Sequence, residues 1–170
     1  MAKKAKKRRQ RRRRIIVVIR AGTTGYRAQL DRTRRLLARV LDYQPRSNHI
    51  DYQDDVWAFF QNCWHLKDWI KNDTALGPSA KRRIIATCHA STALGAVCRD
   101  FANVTKHLKL RRTLPPRAAH AHLNVRMYTV DCQIDTPTGQ RSARDVAQEC
   151  FNEWVQILTA ENLPTDPQPI

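Results

Sequence analysis

The sequence lacks any hydrophobic run long enough to cross a membrane. A transmembrane helix needs about 20 mostly apolar residues, whereas the apolar stretch after the N-terminal cations, Ile15–Ile19, ends at Arg20. This stretch is also too short for the hydrophobic region of a secretory signal peptide. These absences argue against a membrane protein and a secreted protein, and they predict a cytoplasmic one.

Cysteine is sparse, odd in number and never arranged as C-x-x-C. The chain has five cysteines: Cys63, Cys88, Cys98, Cys132 and Cys150. Four of them fall within apolar helical or strand patterns, which is typical of reduced, buried thiols in a cytosolic protein. The pattern disfavours a disulfide framework and a zinc centre. We therefore predict no metal and no cofactor.

Acidic residues are absent from the first fourteen positions, which carry ten cations. The whole chain has 31 Lys and Arg against 15 Asp and Glu, a formal charge of +16, and sixteen of the cations precede residue 40. The ten N-terminal cations are Lys3, Lys4, Lys6, Lys7, Arg8, Arg9, Arg11, Arg12, Arg13 and Arg14. They repel one another and can bury nothing, so residues 1–22 are predicted to be a disordered basic arm.

This arm is predicted to bind nucleic acid. Clustered Lys and Arg release counterions from RNA or DNA and bind phosphates without reading sequence. The arm has no apolar face to insert into a bilayer, which disfavours a membrane partner. The alternative is an added N-terminal extension without a role. Five further arginines lie mostly off the apolar face of the first predicted helix and would give it some phosphate affinity even then: Arg27, Arg32, Arg34, Arg35 and Arg39.

Apolar periodicity predicts a mainly α-helical fold, a bundle of about four helices with a small β-hairpin before the last helix. The first three helices are expected at residues 24–43, 51–72 and 79–110, with a kink between 87 and 95. A strand is expected at 125–134, a turn at 136–139 and a return strand near Gln140. The last helix is expected to begin at Ser142. The bundle would occupy residues 23–160, followed by a frayed, proline-rich tail at 161–170.

The third predicted helix carries the polar set best suited to chemistry. Asp100, Asn103 and His107 recur at one helical face, and the long side chain of Arg99 can reach the same space. In RNA cleavage His107 would transfer the proton, Arg99 would stabilise the phosphate charge, and Asp100 and Asn103 would orient the reacting groups. The alternative is an ordinary solvated helix face.

A second polar stripe runs along the second predicted helix. It consists of His65, Asp68 and Asn72. If the second and third helices pack antiparallel, the two stripes could line one cleft. The histidines and aspartates could then bind a divalent metal, although their spacing matches no defined site, and mutual hydrogen bonding between the helices is the simpler interpretation.

Three parts of the chain resemble a recurring bacterial pattern. They are residues 54–70 (DDVWAFFQNCWHLKDWI), residues 98–107 (CRDFANVTKH), and the closing helix with Cys150 and Trp154. Together they resemble small proteins allied to the HEPN helical superfamily, over about residues 50–160.

That resemblance implies a helical bundle, often dimeric, and in many members a metal-independent ribonuclease of a toxin–antitoxin or phage-defence system. The hallmark is an Arg, a polar residue, and a His after four to six intervening residues. Arg99-Asp100 fits the start of this motif, but seven residues separate Arg99 from His107. The departure leaves open an inactive or structural relative.

The leading prediction is a HEPN-like RNA-binding protein, and metal-independent RNA cleavage is an activity that the resemblance allows without deciding it. A homodimer and an antitoxin-type protein partner are the expected associations. One alternative is a non-catalytic nucleic-acid-binding or assembly protein that acts through the basic arm. Another is a subunit whose helical face docks on a second protein, which the four tryptophans favour weakly.

Overall fold

The computed structural model describes residues 25–43, 49–106, 121–126 and 129–168. The helices are α1 (Tyr26–Leu41), α2 (His49–Asn72), α3 (Pro78–Ala90), α4 (Arg99–Lys106) and α5 (Ala143–Ala160), with a π-helical segment at Ala93–Cys98 between α3 and α4. The strands are β1 (Ala121–Arg126), β2 (Thr129–Thr136) and β3 (Gly139–Ser142). The predicted fold class, a helical bundle with a hairpin before the last helix, is confirmed.

Helices α1, α2 and α5 enclose one apolar core. The apolar faces that periodicity predicted are buried, including Leu30 on α1, Phe60 on α2 and Leu158 on α5. The buried indole of Trp154 donates a hydrogen bond from Nε1 to the carbonyl of Cys63 at 3.0 Å, which joins α5 to α2. A buried polar N–H is costly without a partner, so this bond allows a large aromatic side chain to fill the centre.

Helices α1 and α2 are antiparallel neighbours. Gln29 Nε2 donates to the side-chain and backbone oxygens of Asn62 at 3.0 Å. Ten residues further along α1, Arg39 forms an ion pair with Asp55 at 3.5 Å. The two contacts fix the register of the helices and bring the start of α1 beside the end of α2.

The third predicted helix is interrupted at Ser91. Ser91 adopts an extended backbone, with φ −62° and ψ 137°, and its hydroxyl accepts the backbone N–H of Leu94 at 2.8 Å. The chain then continues through the π segment into α4. The kink that weak helix formers predicted is therefore confirmed in position, but residues 79–106 form two helices and a π segment rather than one helix.

The sheet has three antiparallel strands in the order β1-β2-β3. The predicted return strand near Gln140 is β3, which pairs with β2 around the turn at Thr136 and Gly139. The prediction of a single strand at 125–134 was wrong, because its first part belongs to β1, which pairs with β2 from Ala121 opposite Ile134 to Arg126 opposite Thr129. Alternation of apolar residues does not reveal where a chain reverses.

The segment after α5 packs on α1 and is not frayed. The Tyr26 hydroxyl donates to the carbonyl of Pro164 at 3.0 Å. The backbone N–H of Gln168 donates to Asp31 Oδ2 at 3.2 Å, and Arg34 donates to the carbonyl of Thr165. The prediction of a frayed tail was therefore wrong for residues 164–168, because α1 supplies donors and acceptors for its backbone.

Among the described residues, no helix combines the length and apolar character that crossing a bilayer requires.

Candidate functional site

Arg99 begins α4 directly after the π segment. Its side chain is 38% exposed and forms an ion pair with the neighbouring Asp100 at 3.5 Å. Asn103 lies one turn further and is half-buried. Between them, Phe101 is buried against Phe60 and Trp57 of α2, with ring centroids 4.6 Å apart in both pairs. These contacts anchor one side of α4 in the core, and the structure brings Arg99 and Asp100 together, with Asn103 on the next turn of the same helix.

The predicted proton-transfer residue His107 lies outside the described residues, as do the ten cations of the basic arm, from Lys3 to Arg14. The described part of the predicted catalytic set is therefore a guanidinium beside a carboxylate and an amide. A guanidinium stabilises phosphate charge but does not exchange protons near neutral pH. The described residues thus include the guanidinium to which the prediction assigns phosphate binding, but not the group to which it assigns proton transfer.

The second polar stripe is divided between two surroundings. Asp68 and Asn72 line a cavity with Gly25 at the start of α1, while His65 is half-buried on α2. The α4 residue Phe101 packs near Phe60, and Asp68 is eight residues further along α2, or about 12 Å along the helix axis. His107 of the other polar stripe lies outside the described residues, so the expectation that both stripes line one cleft stays a prediction.

No group of three or more His, Cys, Asp or Glu side chains converges tightly enough to hold a metal ion in the part of the chain that the structure describes. The five cysteines are all buried, as predicted. Burial, reinforced by the neighbouring Cys63, raises the pKa of Cys88 to about 12. Burial, and then hydrogen bonding with the Cys150 and Cys63 thiols, raises the pKa of Cys98 well above its ordinary value. Thiols of this kind are poor nucleophiles and poor metal ligands.

The arginines of α1 fall into two groups that the sequence did not separate. Arg27 and Arg34 hold the C-terminal segment, through the carbonyls of Asp166 and Thr165. Arg34 also forms an ion pair with Asp31 and lies over the ring of Phe151. Arg27 and Arg34 are therefore only partly exposed, although the sequence grouped them with the other α1 arginines as candidates for binding phosphate.

Three other arginines form an outward-facing row, which we call the arginine stripe. Arg32, Arg35 and Arg39 recur at i, i+3 and i+7, so they share one face of α1. Arg32 and Arg35 are exposed, and the side chain of Arg39 is 66% exposed despite its contact with Asp55. The opposite face of α1, with Leu30, Thr33 and Leu37, is buried in the core. The stripe is therefore open to solvent along about 10 Å of helix.

The chain has no match among protein-family models, curated protein sequences or solved structures. The resemblance to the HEPN superfamily stays a prediction that rests on residues 54–70 and 98–107 and on the closing helix.

Proposed function

We propose that this protein binds RNA through the arginine stripe of α1 and the basic arm that precedes it. The observation that carries the proposal is the exposed row of Arg32, Arg35 and Arg39, which follows in sequence directly on the most cationic part of the chain. Guanidinium groups bind phosphates in a planar, two-pronged geometry and are weakly hydrated, which makes arginine well suited to this role.

The dimensions of the stripe fit a nucleic-acid strand. Its three side chains span about 10 Å along the helix, and one strand of a duplex carries a phosphate every 3.4 Å or so along its axis. The stripe thus faces about three phosphates. Of the three arginines, Arg39 alone forms a salt bridge with a carboxylate among the described residues, at the long distance of 3.5 Å. An exposed pair of this kind is weak and gives way readily to a phosphate.

A charge-matched pair of double variants tests this proposal. Arg32→Gln with Arg35→Gln removes two cations from the stripe, and Lys81→Gln with Arg82→Gln removes two from α3. Fluorescence anisotropy with a labelled 20-nucleotide single-stranded RNA should show several-fold weaker binding for the stripe variant than for the α3 variant. Equal affinities of the two variants would contradict a specific role of the stripe. RNA affinity would then depend on the net charge of the protein and not on where the cations lie.

Metal-independent RNA cleavage is the second candidate function. It is supported by the part-exposed Arg99 at the junction of the π segment and α4, because π segments are frequent at functional sites. His107 follows Lys106, the last residue of α4, and would supply the proton transfer. The HEPN resemblance and the Arg99-Asp100 pair support the same assignment, and the longer spacing to His107 opposes it.

Incubation with structured RNA in EDTA tests cleavage separately from binding. The wild type should form products that end in a cyclic phosphate, while His107→Ala and Arg99→Gln should form none yet still bind RNA. Equal cleavage by wild type and His107→Ala, or no cleavage by either, removes the enzyme assignment. The RNA-binding proposal would stand in both cases.

A cytoplasmic location belongs to this proposal, because five buried cysteines outside disulfides suit a reducing compartment. The resemblance adds a homodimer and an antitoxin-type partner as its expected associations. Sedimentation of the purified protein at several concentrations distinguishes a monomer from a dimer.

A further inference from the structure

A cavity of about 460 Å³ lies where α2 ends beside the start of α1. Its wall includes Gly25, Asp68, Trp69, Asn72 and Asp73, followed by the turn at residues 74–75. This volume falls within the range of small-ligand sites. The cavity is distinct from the arginine stripe and from the Arg99 cluster.

One wall of the cavity is structural. Asp73 accepts the backbone N–H of Tyr26 and the backbone N–H of Ala75, both at 2.9 Å, so both of its carboxylate oxygens are engaged. Gly25 adopts a positive φ of 102°, and a Cβ there would lie 2.3 Å from Asp73 Oδ2. The close approach of glycine and carboxylate caps α1 and fixes the shape of the cavity.

The other polar groups of α2 in the cavity are available to a ligand. Trp69 is 37% exposed, whereas Trp154 is fully buried. The Asp68 side chain is 50% exposed, and Lys67 binds only its Oδ1, at 2.6 Å. Asn72 donates from Nδ2 to the carbonyl of Asp68 at 2.8 Å, which leaves its Oδ1 as an acceptor. The site therefore offers an aromatic face beside acceptor oxygens.

A guanine base has the complementary chemistry. Its flat rings stack on an indole, and its Watson–Crick edge presents the adjacent N1–H and N2–H donors that a carboxylate accepts. Adenine and uracil do not present two adjacent donors on that edge, so they fit the acceptor oxygens less well. Proteins that recognise single-stranded RNA use this combination of stacking and edge hydrogen bonds.

We infer that this cavity binds an unpaired guanine of the RNA, stacked on Trp69 and hydrogen-bonded to Asp68. The inference rests on the proposed RNA binding and adds base selectivity to it. Gly25 precedes Arg32 by seven residues, or about 10 Å along α1, a distance that about three nucleotides span. One strand can thus place a base in the cavity and its neighbouring phosphates on the arginine stripe.

Three eight-nucleotide RNAs test the inference by fluorescence anisotropy. They are oligouridine, the same strand with one central guanosine, and the same strand with inosine, which lacks the N2 amino group. The wild type should bind the guanosine strand about tenfold more tightly than oligouridine, since a two-donor edge contact discriminates between bases by about this factor. Inosine should retain part of the preference, because it keeps N1–H but loses one donor.

Two variants and a matched control locate the effect. Asp68→Asn and Trp69→Leu should reduce the guanosine preference to nearly one while oligouridine affinity stays unchanged. Asp54→Asn, which alters another exposed carboxylate of α2, should keep the preference. Loss of preference in Asp54→Asn as well would show that local charge, and not the cavity, selects the base.

The outcomes separate this inference from the proposed function. If oligouridine binds and guanosine gives no advantage, the cavity is not a guanine site and RNA binding stands. If no RNA binds, the proposed function fails and this inference fails with it. If a short arginine peptide quenches tryptophan fluorescence in the wild type but not in Trp69→Leu, and the guanosine strand quenches neither, the cavity accepts a guanidinium and the base assignment is overturned.

Discussion

Single residues decide how the α3–α4 region places Arg99. Gly95 lies in the π segment, where an added Cβ would meet backbone atoms: the carbonyl oxygen of His89 at 2.4 Å and that of Cys88 at 3.0 Å. Backbone atoms cannot rotate away as a side chain end can. Glycine therefore allows the π segment to cross the end of α3, and the hydroxyl of Ser91 then holds the first turn.

Replacement of Gly95 should be far more disruptive than replacement of a glycine in open space. Gly95→Ala should lower the free energy of unfolding by about 1–3 kcal/mol, as overpacking does. Gly77→Ala has nothing within 4 Å of the new Cβ and should change it by about 1 kcal/mol or less. Urea unfolding measures both, and equal stability of the two variants would show that the crossing is not tight.

Buried thiols should make the folded protein less stable at alkaline pH. The unfolded chain ionises its cysteines near pH 8.5, whereas burial holds the pKa of folded Cys88 at about 12. The folded state binds more protons than the unfolded state in that window, so its stability is complete below about pH 8.5 and falls as pH rises towards 12.

The predicted loss is about 1.4 kcal/mol per pH unit for each such thiol. Urea unfolding at pH 8, 9 and 10 should show the decline. Cys88→Ala should reduce the slope of the unfolding free energy against pH by about 1.4 kcal/mol per pH unit, the contribution of one thiol. If Cys88→Ala leaves the slope unchanged, or if native protein is alkylated at Cys88 at pH 8, the thiol is less buried than the structure shows.

At the scale of elements, periodicity predicted the helices well but could not predict contacts between distant segments. The helical spacing of apolar residues predicted the buried faces of α1, α2 and α5, which include Leu30, Phe60 and Leu158 respectively. The π segment depends on where the backbone of α3 lies, and strand β1 depends on a reversal inside an alternating stretch. Prolines after Leu163 suggested fraying, because composition does not show that α1 supplies partners for backbone carbonyls.

The docked C-terminal segment should stabilise the fold. Deletion of residues 164–170 removes the acceptor of the Tyr26 hydroxyl and the partner of Asp31, and should lower the free energy of unfolding by about 1–3 kcal/mol. Asp166→Ala is the matched control, since Arg27 contacts the backbone carbonyl at this position and not the carboxylate. A deletion variant as stable as Asp166→Ala would show that the segment does not contribute.

At the scale of the whole molecule, charge is sorted by face. The arginine stripe of α1 is cationic, whereas the outer face of α5 carries the carboxylates Asp145, Glu149 and Glu153. The exposed guanidinium groups of the stripe attract a polyanion, whereas on α5 the ion pair of Arg141 with Glu149 at 2.7 Å offsets one of the carboxylates. Sequence composition predicted a basic arm and a nearly neutral body, but not this division, because all five arginines of α1 look alike until their partners are known.

The candidate site was likewise predicted only in part. The grouping of Arg99, Asp100 and Asn103 follows from helical spacing alone. The cavity beside Trp69 could not be predicted, because it forms only where the end of α2 lies next to Gly25. These two segments are more than forty residues apart in sequence. The positive φ of Gly25 and its close approach to Asp73 depend on tertiary packing, and no pattern in the local sequence indicates them.

The salt dependence of RNA binding tests the central claim most directly. For a single strand, log K falls with log salt by about 0.7 for each phosphate neutralised. The Arg32→Gln/Arg35→Gln variant should therefore show a slope about 1.4 shallower than the wild type, whereas Lys81→Gln/Arg82→Gln should keep the wild-type slope. Identical slopes for all three proteins would contradict the claim that the arginine stripe contacts RNA.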